Sequence, residues 1–188
     1  MSERNTALRS MHDLGLAAWL GGSLMGAVGV NGVAAQEGRT ELSTARMAGI
    51  GWSKWAPIGA VAVGAHLIGA SGLLAANSDR VKNQAGVGVS SAAKVALTAA
   101  ALAATVYTRA LGKKVDLVSS DDPEDQETAA QMPVDFTQAR RQLSVMQWIV
   151  PGLTAGLVVL GALQGEQQRP SQQGAGVLLR AARERLPL

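Results

Sequence analysis

Four stretches of this chain are almost free of charge and long enough to cross a bilayer, and that arrangement limits what it can fold into. They cover residues 14–35, 56–76, 95–112 and 145–165. The first, LGLAAWLGGSLMGAVGVNGVAA, holds no charged residue in 22 positions. At a helical rise of about 1.5 Å per residue it spans about 33 Å, enough for a hydrocarbon core of about 30 Å. In lipid a backbone must satisfy its own hydrogen bonds, so runs of this length are read as helices. The expected fold is all-α: an integral membrane four-helix bundle, forming a single membrane domain over 1–188.

The edges of the runs support this. Trp52 and Trp55 flank Lys54 before the second run, Tyr107 and Arg109 lie late in the third, and Trp148 lies early in the fourth. Aromatic and basic residues favour the headgroup region. Pro57 is expected in the first turn of span two, where its missing N–H costs little. Pro151 and Gly152 are expected to kink or loosen the start of span four. The first run exceeds the roughly 7–15-residue core of a secretory signal and reads as a retained signal-anchor helix.

Between the spans, Ser43 or Thr44 is expected to cap a short interfacial helix in the first loop. The third loop contains SSDDPEDQE, with five acidic residues, and is expected to be a mobile, solvated acidic loop. A helix is expected to start at Asp135 and run into span four. After Glu166 the chain is polar, and VLLRAARERLPL is expected either to stay disordered or to form a short amphipathic turn on the membrane surface.

An even number of spans puts both termini on one side. That side carries nine Lys and Arg (Arg4, Arg9, Arg80, Lys82, Lys94, Arg169, Arg180, Arg183, Arg185) against eight on the other. The small excess favours cytoplasmic termini in a bacterial cell membrane. The formal net charge of +3 is placed to meet lipid headgroups, and no nucleic-acid recognition motif accompanies it. With no cysteine, thiolate chemistry and cysteine-ligated metals are excluded.

Small residues recur at helical spacing: Ala18, Gly22 and Gly26 in span one, Ala65 and Gly69 in span two, Gly152 and Gly156 in span four. Such residues let helix backbones approach closely, so all are candidate packing positions. Asn31, late in span one, is a candidate for interhelical hydrogen bonding or ligand contact. Trp19 is read as a lipid-facing or packing residue.

The chemistry-bearing candidates are the two histidines. His66 is the only ionisable residue of span two, and an imidazole at that depth needs a partner. It can bond across helices to Asn31, Ser71 or Thr98, relay protons, or ligate haem or a metal. His12 lies just before span one, beside Asp13. In an up-down bundle His12 is expected at an edge and His66 near the centre, about 15 Å apart by helical rise. On that expectation one haem or metal does not reach both within one subunit, and a shared site needs paired His66 residues in a homodimer.

The segment MHDLGLAAWLGGSLMG resembles the first helix of four-helix proteins related to the copper-resistance protein D superfamily. His12, Trp19, Gly21 and Gly22 carry the resemblance. It implies metal or haem handling, with His12 and His66 as candidate ligands. No motif supports a hydrolase or a phosphoryl transferase, and a membrane enzyme ranks behind the other readings. The leading expectation is a structural or accessory multi-pass protein that packs with itself or within a larger membrane complex. The alternative is a haem- or metal-binding or transport-related protein working through His66.

Overall fold

A computed structural model describes residues 5–84 and 86–166, and the tail segment VLLRAARERLPL lies outside the described residues. Four long apolar helices dominate: α1 (Thr6–Glu37), α2 (Glu41–Ala76), α4 (Val87–Val118) and α6 (Phe136–Glu166). Two short helices join them, α3 (Ser78–Asn83) and α5 (Pro123–Ala130). The protein is an all-helical, four-span membrane protein, and each of the four charge-poor runs lies within one long helix.

The helices are longer than the runs. At 36 residues α2 measures about 54 Å, well beyond the roughly 30 Å hydrocarbon core. Two expectations for the first loop therefore change. The residues read as a short interfacial helix are the first turns of α2, and the turn before it is short. A capping box fixes that start: Ser43 N–H donates to Thr40 Oγ1 at 3.1 Å, and Thr40 N–H donates to Ser43 Oγ at 2.9 Å. The cap is thus Thr40, with Ser43 as its partner. Pro57 consequently falls in the interior of α2 and not in its first turn.

Side-chain caps also define the starts of α5 and α6. Asp122 Oδ1 accepts from Glu124 N–H at 3.0 Å and Pro123 occupies the first turn, so part of the acidic segment is helical as α5. Asp135 Oδ1 accepts from Gln138 N–H at 2.8 Å and starts α6. Gly86 has φ 82° and turns the chain into α4, a conformation that favours glycine. Within α1 the Gly26–Val30 segment is a wider π turn directly before Asn31.

The helices pair chiefly as α1 with α2 and α4 with α6, joined by contact between α1 and α6. Two apolar clusters hold them. The central one contains Leu16, Trp19, Ala101, Ala104, Val150 and Leu157. The second, at the end away from the N-terminus, contains Ala45, Leu111, Val115 and Ala139, with Phe136 packed against it. That end also carries charge pairs, Arg46–Asp121 at 2.5 Å and Glu41–Arg140 at 3.0 Å. The outward surface is apolar, with Leu14, Ile58, Val61, Ile68, Val106 and Val159 exposed. A surface of this kind suits lipid.

Close approach is tightest between α1 and α2. A Cβ at Gly15 would overlap the Ala62 carbonyl and the His66 backbone, and one at Gly69 would overlap the backbone of Leu8 and His12. The Trp55 ring lies over Gly22 and the Trp52 ring over Gly26. Ala18 and Ala65 are half-buried. On α6 the pattern differs: Gly156 lies against Leu97, whereas Gly152 is exposed with open space beside it. Gly15→Ala is expected to lower the melting temperature in detergent by the equivalent of about 1–3 kcal/mol, because backbone cannot yield as a side chain can. Gly21→Ala, where a Cβ meets nothing within 4 Å, is the matched control and should be neutral or stabilising.

Candidate functional site

The glycine contacts that join α1 to α2 also decide what the histidines meet. Gly15 seats against the backbone of His66 and Gly69 against the backbone of His12. The two imidazoles are thereby placed side by side, with ring centroids 4.5 Å apart and planes inclined by 41°. Both are buried, His12 at 4% exposure and His66 at 0%. The expected separation of about 15 Å is therefore overturned. Depth counted from the edge of each apolar run misjudged the register. Because α2 starts well before its run, the C-terminal half of α2 lies beside the N-terminal turns of α1.

Each ring is anchored at Nδ1. His12 Nδ1 bonds Asp13 Oδ1 at 2.6 Å, and His66 Nδ1 bonds the backbone carbonyl of His12 at 3.2 Å. A carboxylate and a carbonyl can only accept, so both Nδ1 atoms carry the proton of these bonds. In the neutral imidazoles Nε2 is then a bare lone pair. Both Nε2 atoms are buried, and among the described residues they are the only buried side-chain nitrogen or oxygen atoms without a hydrogen-bond partner. An unmet buried polar atom costs about 1–3 kcal/mol. Two such atoms lie in rings whose centroids are 4.5 Å apart.

Its surroundings are set by neighbouring helices. The Trp19 ring meets His66 edge-on at 5.9 Å, and its Nε1 donates to Thr105 Oγ1 on α4 at 3.2 Å. Thr105 in turn donates to the Ala101 carbonyl at 2.8 Å. Trp19 is thus a packing residue at 4% exposure, not a lipid-facing one. On its other side His12 borders a cleft of about 820 Å³ that also takes in Arg9, Asp13 and Lys94. Lys94 Nζ donates to Gln164 Oε1 at 3.5 Å.

None of the three residues considered as hydrogen-bond partners for His66 plays that part, since the His12 carbonyl does. Asn31 lies elsewhere, between three helices. Its Nδ2 donates to Gln147 Oε1 on α6 at 2.7 Å, and its Oδ1 accepts from Trp52 Nε1 on α2 at 2.9 Å.

Chemically, the pair offers two imidazole nitrogens. Among the described residues no cluster of three or more His, Cys, Asp or Glu could hold a metal. Any metal here would draw two protein ligands and take the rest from outside. A porphyrin does not fit between the rings, because the helices that carry them touch backbone to backbone.

No protein-family model matches the chain, and no curated protein or solved structure is significantly similar to it. The likeness of the first helix to the copper-resistance protein D superfamily receives no support from these comparisons.

Sequence reasoning singled out both histidines but not their neighbours. Thr105, Gln147 and Lys94 are ordinary polar residues in the sequence, and only the bundle gives them partners. Asn31→Ala combined with Gln147→Ala in a double-mutant cycle is expected to show a coupling of about 0.6 kcal/mol, and up to about 1.7, typical of interhelical polar pairs in membranes. Thermal or denaturant unfolding in detergent measures it, and a coupling of zero would remove the pair from the bundle's stabilising contacts.

Proposed function

We propose that this four-span protein binds a transition-metal cation, copper or zinc, between His12 and His66, and that metal handling in the membrane is its function. The observation that carries the reading is the pair of bare, buried Nε2 atoms. Metal-ligating histidines nearly always donate the other ring N–H to a carboxylate or backbone carbonyl, which fixes the tautomer and leaves the ligating nitrogen free. His12 and His66 each have that arrangement, one with Asp13 and one with the His12 carbonyl. Imidazole suits copper and zinc.

A purely structural role accounts less well for the site. A bundle selected only for packing gains nothing from leaving two buried lone pairs unmet. The small number of protein donors supports an exchangeable cation over a closed structural centre, which normally has four ligands. His12 also borders the cleft at the bundle end that holds the start of α1. The resemblance carried by His12, Trp19, Gly21 and Gly22 points the same way.

The test is metal loading of the full chain in detergent with copper(I) or zinc, followed by desalting and elemental analysis. About one cation per chain is expected, with loss in both His12→Ala and His66→Ala. Saturating metal should also raise the melting temperature of the wild-type protein, by the equivalent of about 2.7 kcal/mol at a hundredfold excess over Kd, and leave both variants unmoved. Folded wild-type protein that takes up neither metal and shows no thermal shift would sink the proposal.

A further inference from the structure

The cleft beside His12 has a second property that does not depend on metal binding. It lies at the bundle end that holds the start of α1, the end of α2, the start of α4 and the end of α6. Its walls are apolar, with Leu67 and Leu74 from α2, Val95 and Leu102 from α4, and Val158 from α6. Its polar groups are gathered at that same bundle end.

Three of those groups are cations: Arg9, Arg80 and Lys94. Among the described residues Asp13 is the only acidic one in the lining, and its carboxylate is engaged with His12 Nδ1 at 2.6 Å. Arg80 bonds only neutral acceptors, Asn77 Oδ1 at 3.3 Å and Gln84 Oε1 at 3.3 and 3.2 Å. Lys94 is half-buried and donates to another neutral amide, that of Gln164. The mouth is therefore positive, while the depth is hydrocarbon-like.

The position in the membrane agrees. On α4 the stretch between Lys94 and Arg109 holds 14 charge-free residues, about 21 Å by helical rise. That is shorter than the roughly 30 Å core, so both cations must reach toward headgroups. Lys94 is then at headgroup level and Leu102, two turns on, lies within the acyl region.

We infer that this cleft is a binding site for one anionic phospholipid, its phosphate at Arg80 and Lys94 and an acyl chain along Leu67, Val95 and Leu102. Charge complementarity selects the headgroup, and the apolar walls require a chain attached to it. The volume of about 820 Å³ falls within the range of small-molecule sites.

Native mass spectrometry of the full chain tests this, with equal amounts of phosphatidylglycerol and phosphatidylcholine in the detergent. One phosphatidylglycerol per chain should be retained in preference to phosphatidylcholine. Arg80→Gln and Lys94→Gln should each weaken that retention about fivefold, the worth of one cation near an anionic surface. Lys94→Arg should preserve it, which keeps the test informative where Lys94→Gln fails to fold. Ala70→Trp, which fills the cleft, should abolish it with the circular dichroism spectrum unchanged. Equal retention of the two lipids, or a preference unchanged in the Arg80→Gln/Lys94→Gln double variant, would overturn the inference. So would displacement of the lipid by millimolar inorganic phosphate with no effect of Ala70→Trp, since the site would then read the phosphate alone.

Discussion

Backbone-to-backbone contact between α1 and α2 is the constraint on which the rest of the bundle depends. Lipid is as apolar as leucine, so the hydrophobic effect that holds soluble helices together does little here. What remains is dispersion at close range, interhelical hydrogen bonds and shape. Gly15 and Gly69 permit the closest approach, and Gly22 and Gly26 receive the flat faces of Trp55 and Trp52. A contact of this kind has one register. Sliding either helix by one residue would bring a side chain against backbone.

That register has a chemical consequence. It carries His66 to the carbonyl of His12, 54 positions away in the chain, and sets their rings side by side at a tilt. With each Nδ1 committed to an acceptor, the two buried Nε2 atoms are left without a partner among the described residues. Trp19, held by Thr105, closes one side of the pair, while the cleft opens beyond His12. The same geometry that stabilises the bundle therefore leaves two buried lone pairs without a hydrogen-bond partner among the described residues.

The two ends of the bundle obey different rules. At the far end α2, α4 and α6 run past the hydrocarbon and are held as in a soluble protein, by a small apolar cluster, by Arg46–Asp121 and Glu41–Arg140, and by Lys114 donating to the Ala129 carbonyl. Exposed pairs of this type contribute little individually, so the apolar cluster around Leu111 and Ala139 carries that end. At the near end a cleft lies between the helices instead, and Arg9, Arg80 and Lys94 line it. Asn31 belongs to neither end: it ties α1, α2 and α6 through Trp52 and Gln147.

The sequence by itself determined that four helices exist, roughly where they lie, and that they belong in a membrane. These are local properties. A charge-free run in lipid has to satisfy its backbone within itself, and a helix does so residue by residue. Both histidines were also visible, since ionisable side chains stand out against Ala, Gly and Leu. Helix starts such as Thr40–Ser43 were less legible, because a cap can lie many residues ahead of the apolar run it serves. Only the tertiary structure decided that His12 and His66 meet, that Trp19 faces inward, that Asn31 bridges three helices, and that Arg80 and Lys94 share one mouth. Each depends on which glycine lies against which backbone across separate helices, and periodicity within one helix carries no information about that register.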